Sequence, residues 1–116
     1  MSGLQVGLIR YASVGKAIAR ALGIERAPDC HVGQGRVTLT FRSLGGSRWL
    51  EDQQIERALQ IAATARTVLS QDSRRDIRNR ASRAIVIVYE DAILVRGCAV
   101  VARWECVVPA AAHDVA

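Results

Sequence analysis

AIVIVYEDAILVRGCAVVARWECVV, residues 84–108, is the part of this chain with the strongest β-strand character. Its opening run, AIVIVY at 84–89, is apolar at every position, which is typical of a central strand buried on both faces. The polar pair Glu90 and Asp91 predicts a turn, and Gly97 predicts a bulge or a bend. The predicted strands are therefore 84–89, 92–97 and 98–108. Tight links between consecutive strands favour an antiparallel meander.

The last of these strands alternates, so that Trp104 and Cys106 face one side of the sheet and two charged residues face the other. We expect Trp104 to pack in the core. An interface or a ligand pocket is the alternative, because indole rings are enriched where surfaces meet partners. The same two roles apply to Trp49. Cys98 and Cys106 are too far apart along one strand to form a disulfide, so we expect buried thiols.

Residues 49–70, WLEDQQIERALQIAATARTVLS, carry the clearest helical periodicity in the chain. Apolar residues recur at spacings of three and four, which predicts one amphipathic helix whose alanines allow close packing against a sheet. The predicted buried stripe consists of Leu50, Ile55, Ala58, Leu59, Ile61, Ala62, Ala65, Val68 and Leu69. The residues predicted to face away from it are Gln53, Glu56, Gln60, Arg66 and Ser70.

The first third of the chain has weaker patterns. Residues 12–23 place apolar side chains at helical spacing, which predicts a short amphipathic helix that Ser13 caps and Gly23 ends. The preceding residues, 3–11, fit either a strand or an additional helical turn. Residues 24–35 have no period and contain a proline and two glycines, so we expect a loop.

Residues 36–44 alternate Val37, Leu39 and Phe41 with polar residues, which predicts a strand with one face in the core. Together these elements predict an α+β fold. We expect a two-layer sandwich, in which a mainly antiparallel sheet of about four strands packs against one long and one or two short helices. The chain of 116 residues is half hydrophobic, which is the usual make-up of one domain. We therefore expect a single domain over 1–116, with 109–116 as a frayed tail.

Between the long helix and the strands lies SQDSRRDIRNRASR, residues 70–83, with five arginines and two aspartates. If residues 72–83 are helical, Arg74, Arg75 and Arg78 share one arc, while the aspartates lie nearer Arg80 and Arg83. The arc is then unpaired and becomes the best candidate for contacting an anion, with Arg80 and Arg83 beside it. The alternative is an ordinary solvated helix face. No aromatic residue interleaves the arginines to stack on nucleic-acid bases.

No motif for phosphate, dinucleotide or metal binding is complete. Lys16 follows a glycine but lacks the earlier glycine of a phosphate-binding loop, and GQG at 33–35 lacks the third glycine of a dinucleotide fingerprint. Cys30 and His31 adjoin each other, which suggests a nucleophile or a metal site, but adjacent side chains seldom point at one atom. We therefore expect no cofactor, no metal and no catalytic residue. A small enzyme that uses Cys30 and His31 is the least favoured alternative.

Charge and hydropathy limit the classes of partner that we expect. The formal net charge is +5, and fifteen of the sixteen lysines and arginines are arginine, which favours an anionic partner such as nucleic acid or an acidic protein. The same composition also fits a GC-rich genome. No apolar stretch reaches the ~18 residues that span a bilayer, and the first residues do not resemble a secretory signal. Three cysteines, an odd number, fit a reducing compartment, so we expect a cytoplasmic protein without a membrane partner.

Because no group of residues in the sequence suggests a catalytic site, the hypothesis for function is a default one. We expect a small, non-enzymatic binding module that self-associates as a homodimer and binds a ligand or partner through its sheet or a helix face. The first alternative is a nucleic-acid-binding module that uses the arginine-rich segment 74–83. The sequence names no ligand and no biological process.

Overall fold

The structure is a computed structural model that describes residues 9–42 and 51–110. Its elements are β1 (Ile9–Arg10), α1 (Ala12–Leu22), β2 (Asp29–Gly33), β3 (Arg36–Arg42), α2 (Glu51–Ser70), α3 (Arg75–Arg78), β4 (Ala84–Val95) and β5 (Cys98–Val108). The five strands form one mixed sheet that packs against the helices. This confirms the predicted α+β fold, with five strands instead of about four. Trp49, Leu50 and the predicted strand end at 43–44 lie outside the described residues.

The strands lie in the sheet in the order in which they occur in the chain, β1 to β5. Three of the four pairings are antiparallel, as predicted, and β3 pairs with β4 in parallel, with Val37 opposite Ile85. A parallel pair needs a long crossover. Here α2 and α3 lie within that crossover. Residues 3–8 lie outside the described residues, and of residues 9–11 the first two, Ile9–Arg10, form a strand.

The three strands predicted over 84–108 are a single long hairpin. The predicted turn at Glu90 and Asp91 is wrong, because Glu90 pairs with Arg42 of β3 on one side and with Arg103 of β5 on the other. The chain turns instead at Arg96 and Gly97, whose φ angles are 52° and 79°. Positive φ at both central residues is typical of the type I′ turn, whose twist matches that of two antiparallel strands. Of the two alternatives for Gly97, a bulge or a bend, the chain bends there, because Gly97 is the second residue of a hairpin turn.

The loop predicted at 24–35 contains a strand. β2 runs from Asp29 to Gly33 and buries Cys30 and Val32, while a second two-residue turn with positive φ lies at 34–35. Only two of its residues face the core, so the alternation was too short to be recognised from sequence. The antiparallel pairing with β3 supplies the ladder hydrogen bonds that stabilise so short a strand.

The core lies between the helices and one face of the sheet. Its buried members include Val14, Ile18, Cys30, Val37, Leu39, Phe41, Ala58, Ile61, Ala62, Ala65, Leu69, Ile77, Ile85, Ile87 and Tyr89. The apolar stripe of α2 is narrower than predicted, because Ile55 is 42% and Leu59 51% exposed. The small residues Ala58, Ala62 and Ala65 occupy the contact line and let the helix lie close to its neighbours.

Helix α1 begins without a side-chain cap, since the residue before it is Tyr11. The predicted cap, Ser13, lies inside the first turn, where its hydroxyl accepts a hydrogen bond from the Arg74 guanidinium (3.1 Å). The predicted end at Gly23 is confirmed. Its φ is 71°, a left-handed conformation that glycine adopts without steric cost.

Gly15 brings α1 into close contact with the backbone that precedes β2. A Cβ at this position would lie 2.3 Å from the carbonyl oxygen of Pro28, so either α1 or that backbone would have to move. We expect Gly15→Ala to lower the free energy of unfolding by about 1–3 kcal/mol, the usual cost of overpacking, although alanine has the higher helix propensity. Urea denaturation measures the change. Lys16→Ala, at the exposed neighbouring position, is the control, and equal stability of the two variants would contradict the close approach.

Among the residues of α2, Arg66 differs most from its predicted orientation. The sequence predicts that it faces away, but its guanidinium donates to four backbone carbonyls. The acceptors are the oxygens of Ala81 (2.8 Å), Arg83 (2.7 Å), Val108 (3.4 Å) and Pro109 (2.6 Å). Burial lowers the pKa of Arg66. This one side chain thus joins α2 to the beginning of β4 and to the end of β5.

Candidate interaction surfaces

The arginine-rich segment is mostly irregular, since only Arg75–Arg78 is helical. Asp72 does not lie toward Arg80 and Arg83 as predicted. Instead its Oδ1 accepts from Nε of Arg74 (2.9 Å) and its Oδ2 from Nη2 (3.0 Å). The hydrogen bond from the Arg74 side chain is the main reason that the pKa of Asp72 is lowered. The ion pair also raises the pKa of Arg74. Arg74 is therefore paired within the chain.

Arg78 is also engaged in local structure. Its Nη1 donates to the carbonyl oxygens of Asp72 (2.9 Å) and Ser73 (2.8 Å), which satisfies backbone groups just beyond α2. Of the arc predicted to be unpaired, Arg75 is the member whose side chain has no partner within residues 9–42 and 51–110.

Arg80 and Arg83 line a shallow cavity of about 190 Å³ together with Asp76 and Asn79. Their side chains likewise have no hydrogen-bond or ion-pair partner in the described part of the chain. The carboxylate of Asp76 in the same cavity opposes the binding of an anion. The nucleic-acid hypothesis remains a prediction, and it now depends on Arg75, Arg80 and Arg83.

Cys30 and His31 do not form a joint site. They are consecutive residues of β2, and consecutive side chains of a strand point to opposite faces of the sheet. Cys30 lies in the core with no exposed surface, and burial raises the pKa of its thiol from the ordinary 9.0 to about 12. His31 pairs with Thr38 on the other face. A thiol in this environment is protonated at neutral pH and is not an activated nucleophile.

The prediction that the other two cysteines are buried thiols is wrong. Cys98 is exposed at the start of β5, and Cys106 is only partly buried. Both were expected to be buried, but β5 is the outermost strand of the sheet, so its side chains have neighbours on one side only.

Trp104 ends a row of aromatic rings on the core face of the sheet. Its ring stacks on Tyr89 at a centroid distance of 5.3 Å, and Tyr89 contacts Phe41 at 5.8 Å. The three residues lie opposite one another in β3, β4 and β5. Trp104 is partly buried against the core on this inner side. The second tryptophan of the interface hypothesis, Trp49, lies outside the described residues.

The opposite face of the sheet carries a row of alternating charges that crosses all five strands. Its contacts are Arg10–Asp29 (3.0 Å), Asp29–Arg42, Arg42–Glu90 (3.5 Å), Glu90–Arg103 (3.8 Å) and Arg103–Glu105 (2.8 Å). Three arginines and three carboxylates leave this row without net charge. Exposed pairs of this kind contribute little individually, but a network holds its members in fixed positions. The row could not be recognised from sequence, because its members come from five separate strands.

The row of charges ends at the outer edge of β5. This strand is last in the sheet, so no strand pairs with its outer edge within the described residues. Its side chains are well exposed there, with Arg103 at 53%, Glu105 at 42% and Val107 at 51%. A long edge strand with few charges is a template for pairing with another chain.

The hairpin also extends past the described end of β3. Within the described residues, β3 follows β4 as far as Glu90, and residues 91–102 pair with one another as the outer part of the hairpin. Nine of its ten strand residues, all except Asp91, are of apolar type. A hairpin end of this composition gains stability from any surface that covers it.

A cavity of about 230 Å³ lies between the end of α1, the end of β3 and the middle of α2. Its lining residues are Leu22, Ile24, Phe41, Arg57, Gln60 and Ile61. Burial raises the pKa of Tyr89, which packs beside Phe41, and the nearby guanidinium of Arg57 acts in the opposite direction. Arg57 thus lies between the cavity and the aromatic row.

Other classes of site receive no support from the described residues. Within them, no group of three or more His, Cys, Asp or Glu side chains is placed to hold a metal ion. None of their helices is both long enough and apolar enough to cross a membrane. Comparison of the chain with known protein families, with curated proteins and with solved structures gave no match in any of the three.

Proposed function

We propose that this protein is a non-catalytic interaction module that self-associates through the outer edge of β5. The observation that carries the proposal is the exposed edge strand with one arginine and one glutamate two residues apart on the same face. Such an edge pairs readily with a second strand. Two identical strands that pair about a two-fold axis do so in antiparallel orientation and contact each other through the same residues.

One register makes the strand complementary to itself. If Trp104 lies on the two-fold axis, Arg103 of one copy stands opposite Glu105 of the second copy, and the reverse pair forms on the other side. Opposite charges that face each other across antiparallel strands are stabilising, and like charges are destabilising. The aromatic row would also continue across the axis, since the free side of Trp104 would meet Trp104 of the second copy.

The remaining positions agree with this register. Position 107 would stand opposite position 101 of the second copy, and position 108 opposite position 100, and all four residues are valines. Pro109 lacks a backbone N–H and ends the pairing at Val108. A shift by one residue in either direction would place each charged side chain opposite an apolar residue. A shift by two residues would bring Arg103 or Glu105 opposite its own copy, which pairs like charges.

The other two hypotheses have less support. Arg74 and Arg78 are committed to contacts within the chain, and the cavity that contains Arg80 and Arg83 also contains a carboxylate. The enzyme hypothesis required Cys30 and His31 to act together, and they lie on opposite faces of β2.

Charge reversal on β5 tests both the interface and its register. We expect the wild type to sediment at twice the chain mass. Arg103→Glu and Glu105→Arg should each weaken the dimer about tenfold or more, because two symmetry-related attractions become repulsions of ~0.2–1 kcal/mol each. Analytical ultracentrifugation at low ionic strength measures the dissociation constant.

The decisive sample is an equimolar mixture of the two single variants. One chain then carries two acidic side chains at positions 103 and 105, and the other chain carries two basic side chains at the same positions. Across a heterodimer every acidic side chain meets a basic one, so association should return even though neither chain regains its internal pair. Arg75→Glu, an exposed charge reversal on α3, is the control and should leave the dimer unchanged. A wild type that remains monomeric, or a mixture no tighter than the separate variants, would overturn the proposal.

A further inference from the structure

The cavity between α1 and α2 combines apolar walls with a polar end. Leu22, Ile24, Phe41 and Ile61 form the walls, and Arg57 and Gln60 supply the polar groups. This combination is the usual make-up of a small-molecule site, in which an apolar surface binds the body of a ligand and a few polar groups orient it. A volume of about 230 Å³ is below the ~300 Å³ at which drug-sized sites begin, so the ligand must be small.

The polar end carries a positive charge that no carboxylate of the described residues neutralises. No Asp or Glu of the described residues lines the cavity, and Arg57 forms no ion pair with a carboxylate anywhere in residues 9–42 and 51–110. Arg57 differs in this respect from Arg10, Arg42, Arg74 and Arg103, each of which has an acidic partner. Its neighbour at the inner end is Tyr89, whose phenol is uncharged at neutral pH and does not neutralise the guanidinium.

The geometry of α2 adds a second donor. Gln60 follows Arg57 by three residues, so the two side chains lie on the same face of the helix, one turn apart. A guanidinium presents two parallel N–H groups, which fit the two oxygens of a carboxylate, and a glutamine amide can donate a further hydrogen bond. Because the described lining has one cation and mostly apolar surface, a singly charged anion fits it better than a phosphate dianion.

We propose that this cavity binds a small monocarboxylate with an apolar body, such as a short acyl chain or a single aromatic ring. The carboxylate contacts Arg57 and Gln60, and the body lies against Leu22, Ile24 and Ile61. The site is formed by α1, α2 and β3, and it is separate from the edge of β5. It therefore does not depend on self-association, and failure of one proposal leaves the other intact.

Hexanoate and benzoate are the probes, and 1-hexanol and benzyl alcohol are their uncharged counterparts. We expect hexanoate to shift the methyl NMR signals of Leu22, Ile24 and Ile61 in a saturable way, with a Kd on the order of 1 mM for so small a ligand. Arg57→Gln, which keeps hydrogen-bonding groups but removes the charge, should weaken binding at least tenfold. Arg75→Gln removes an exposed charge outside the cavity and should leave the Kd unchanged.

A second test uses only the wild type, so its result does not depend on whether a variant folds correctly. The alcohols should bind at least tenfold more weakly than the corresponding acids, because they cannot form the charged pair with Arg57. Equal binding of acid and alcohol, an unchanged Kd in Arg57→Gln, or the absence of saturable shifts at concentrations about tenfold above the expected Kd would each overturn the proposal.

Discussion

Cys30 of the folded protein should react with iodoacetamide about a thousandfold more slowly than an ordinary thiol at the same pH. Burial raises its pKa from 9.0 to about 12, and the reactive species is the thiolate, whose fraction falls tenfold for each unit of pKa. The lack of exposed surface slows the reaction further. Labelling at pH 8, followed by mass spectrometry of the peptides, measures the rate.

The chain supplies its own controls for this experiment. Cys98 is exposed and should be labelled readily in the same sample. In urea, where the protein is unfolded, Cys30 should react as quickly as Cys98. If Cys30 reacts in the folded state as fast as Cys98 or faster, the thiol is activated, and the enzyme hypothesis that includes His31 must be restored.

The same shift predicts how stability depends on pH. Because the pKa of Cys30 is higher in the folded than in the unfolded chain, the unfolded chain loses this proton first as the pH rises. The contribution of Cys30 is therefore fully present below pH 9 and declines between about pH 9 and 12. Comparing the free energy of unfolding of the wild type with that of Cys30→Ala over this interval isolates the contribution of Cys30 from those of all other groups.

Arg66→Ala should lower the free energy of unfolding by about 3 kcal/mol. This is the largest effect on stability that we expect from a single substitution. A hydrogen bond from a charged donor contributes ~1.5–3 kcal/mol, and this guanidinium makes four, several of them partly exposed and therefore weaker. Their loss would release the end of α2 from the first residues of β4 and from the last residues of β5.

Two further variants separate the geometric role of Arg66 from its charge. Arg66→Lys keeps the charge, but a single ammonium cannot reach carbonyls on both sides, so most of the loss should remain. Arg75→Ala removes an exposed arginine from α3 and should change the free energy of unfolding by less than ~0.5 kcal/mol. Urea denaturation that shows the same midpoint for Arg66→Ala and Arg75→Ala would contradict the role of Arg66 as a link.

Arg66 also connects the fold to the proposed interface. Its acceptors Val108 and Pro109 lie at the end of β5, where the self-complementary register stops. We therefore expect Arg66 to hold the edge strand in a fixed position, which reduces the entropy lost when a second copy pairs with it. The row of alternating charges also restricts the edge strand, because Glu90 and Glu105 form ion pairs with Arg103 and hold its side chain near the edge.

The candidate surfaces depend on contacts that the sequence does not display. The arginines at 70–83 form a candidate site because they are close together in the chain, but proximity in sequence does not indicate that Asp72 and nearby carbonyl groups engage Arg74 and Arg78. The sequence does not mark Arg57 as a site residue, because nothing near it in the chain indicates that Leu22 and Phe41 are its neighbours. A cavity between two helices and a strand has no local signature.

The sequence by itself determined the elements whose pattern is local and long: α1, α2, the alternating strand β3, and the first half of β4, buried on both faces. Periodicity of apolar residues follows from the geometry of the single element, so it can be read without knowing what the element contacts. Only the tertiary structure decided that β3 and β4 pair in parallel, that β4 continues through Glu90 and Asp91, and that β2 exists at all. It also decided which charges meet across the sheet and which arginine lies in a cavity. Each of these features depends on contacts between residues far apart in the chain, and strand register and helix placement fix such contacts only when the whole core packs.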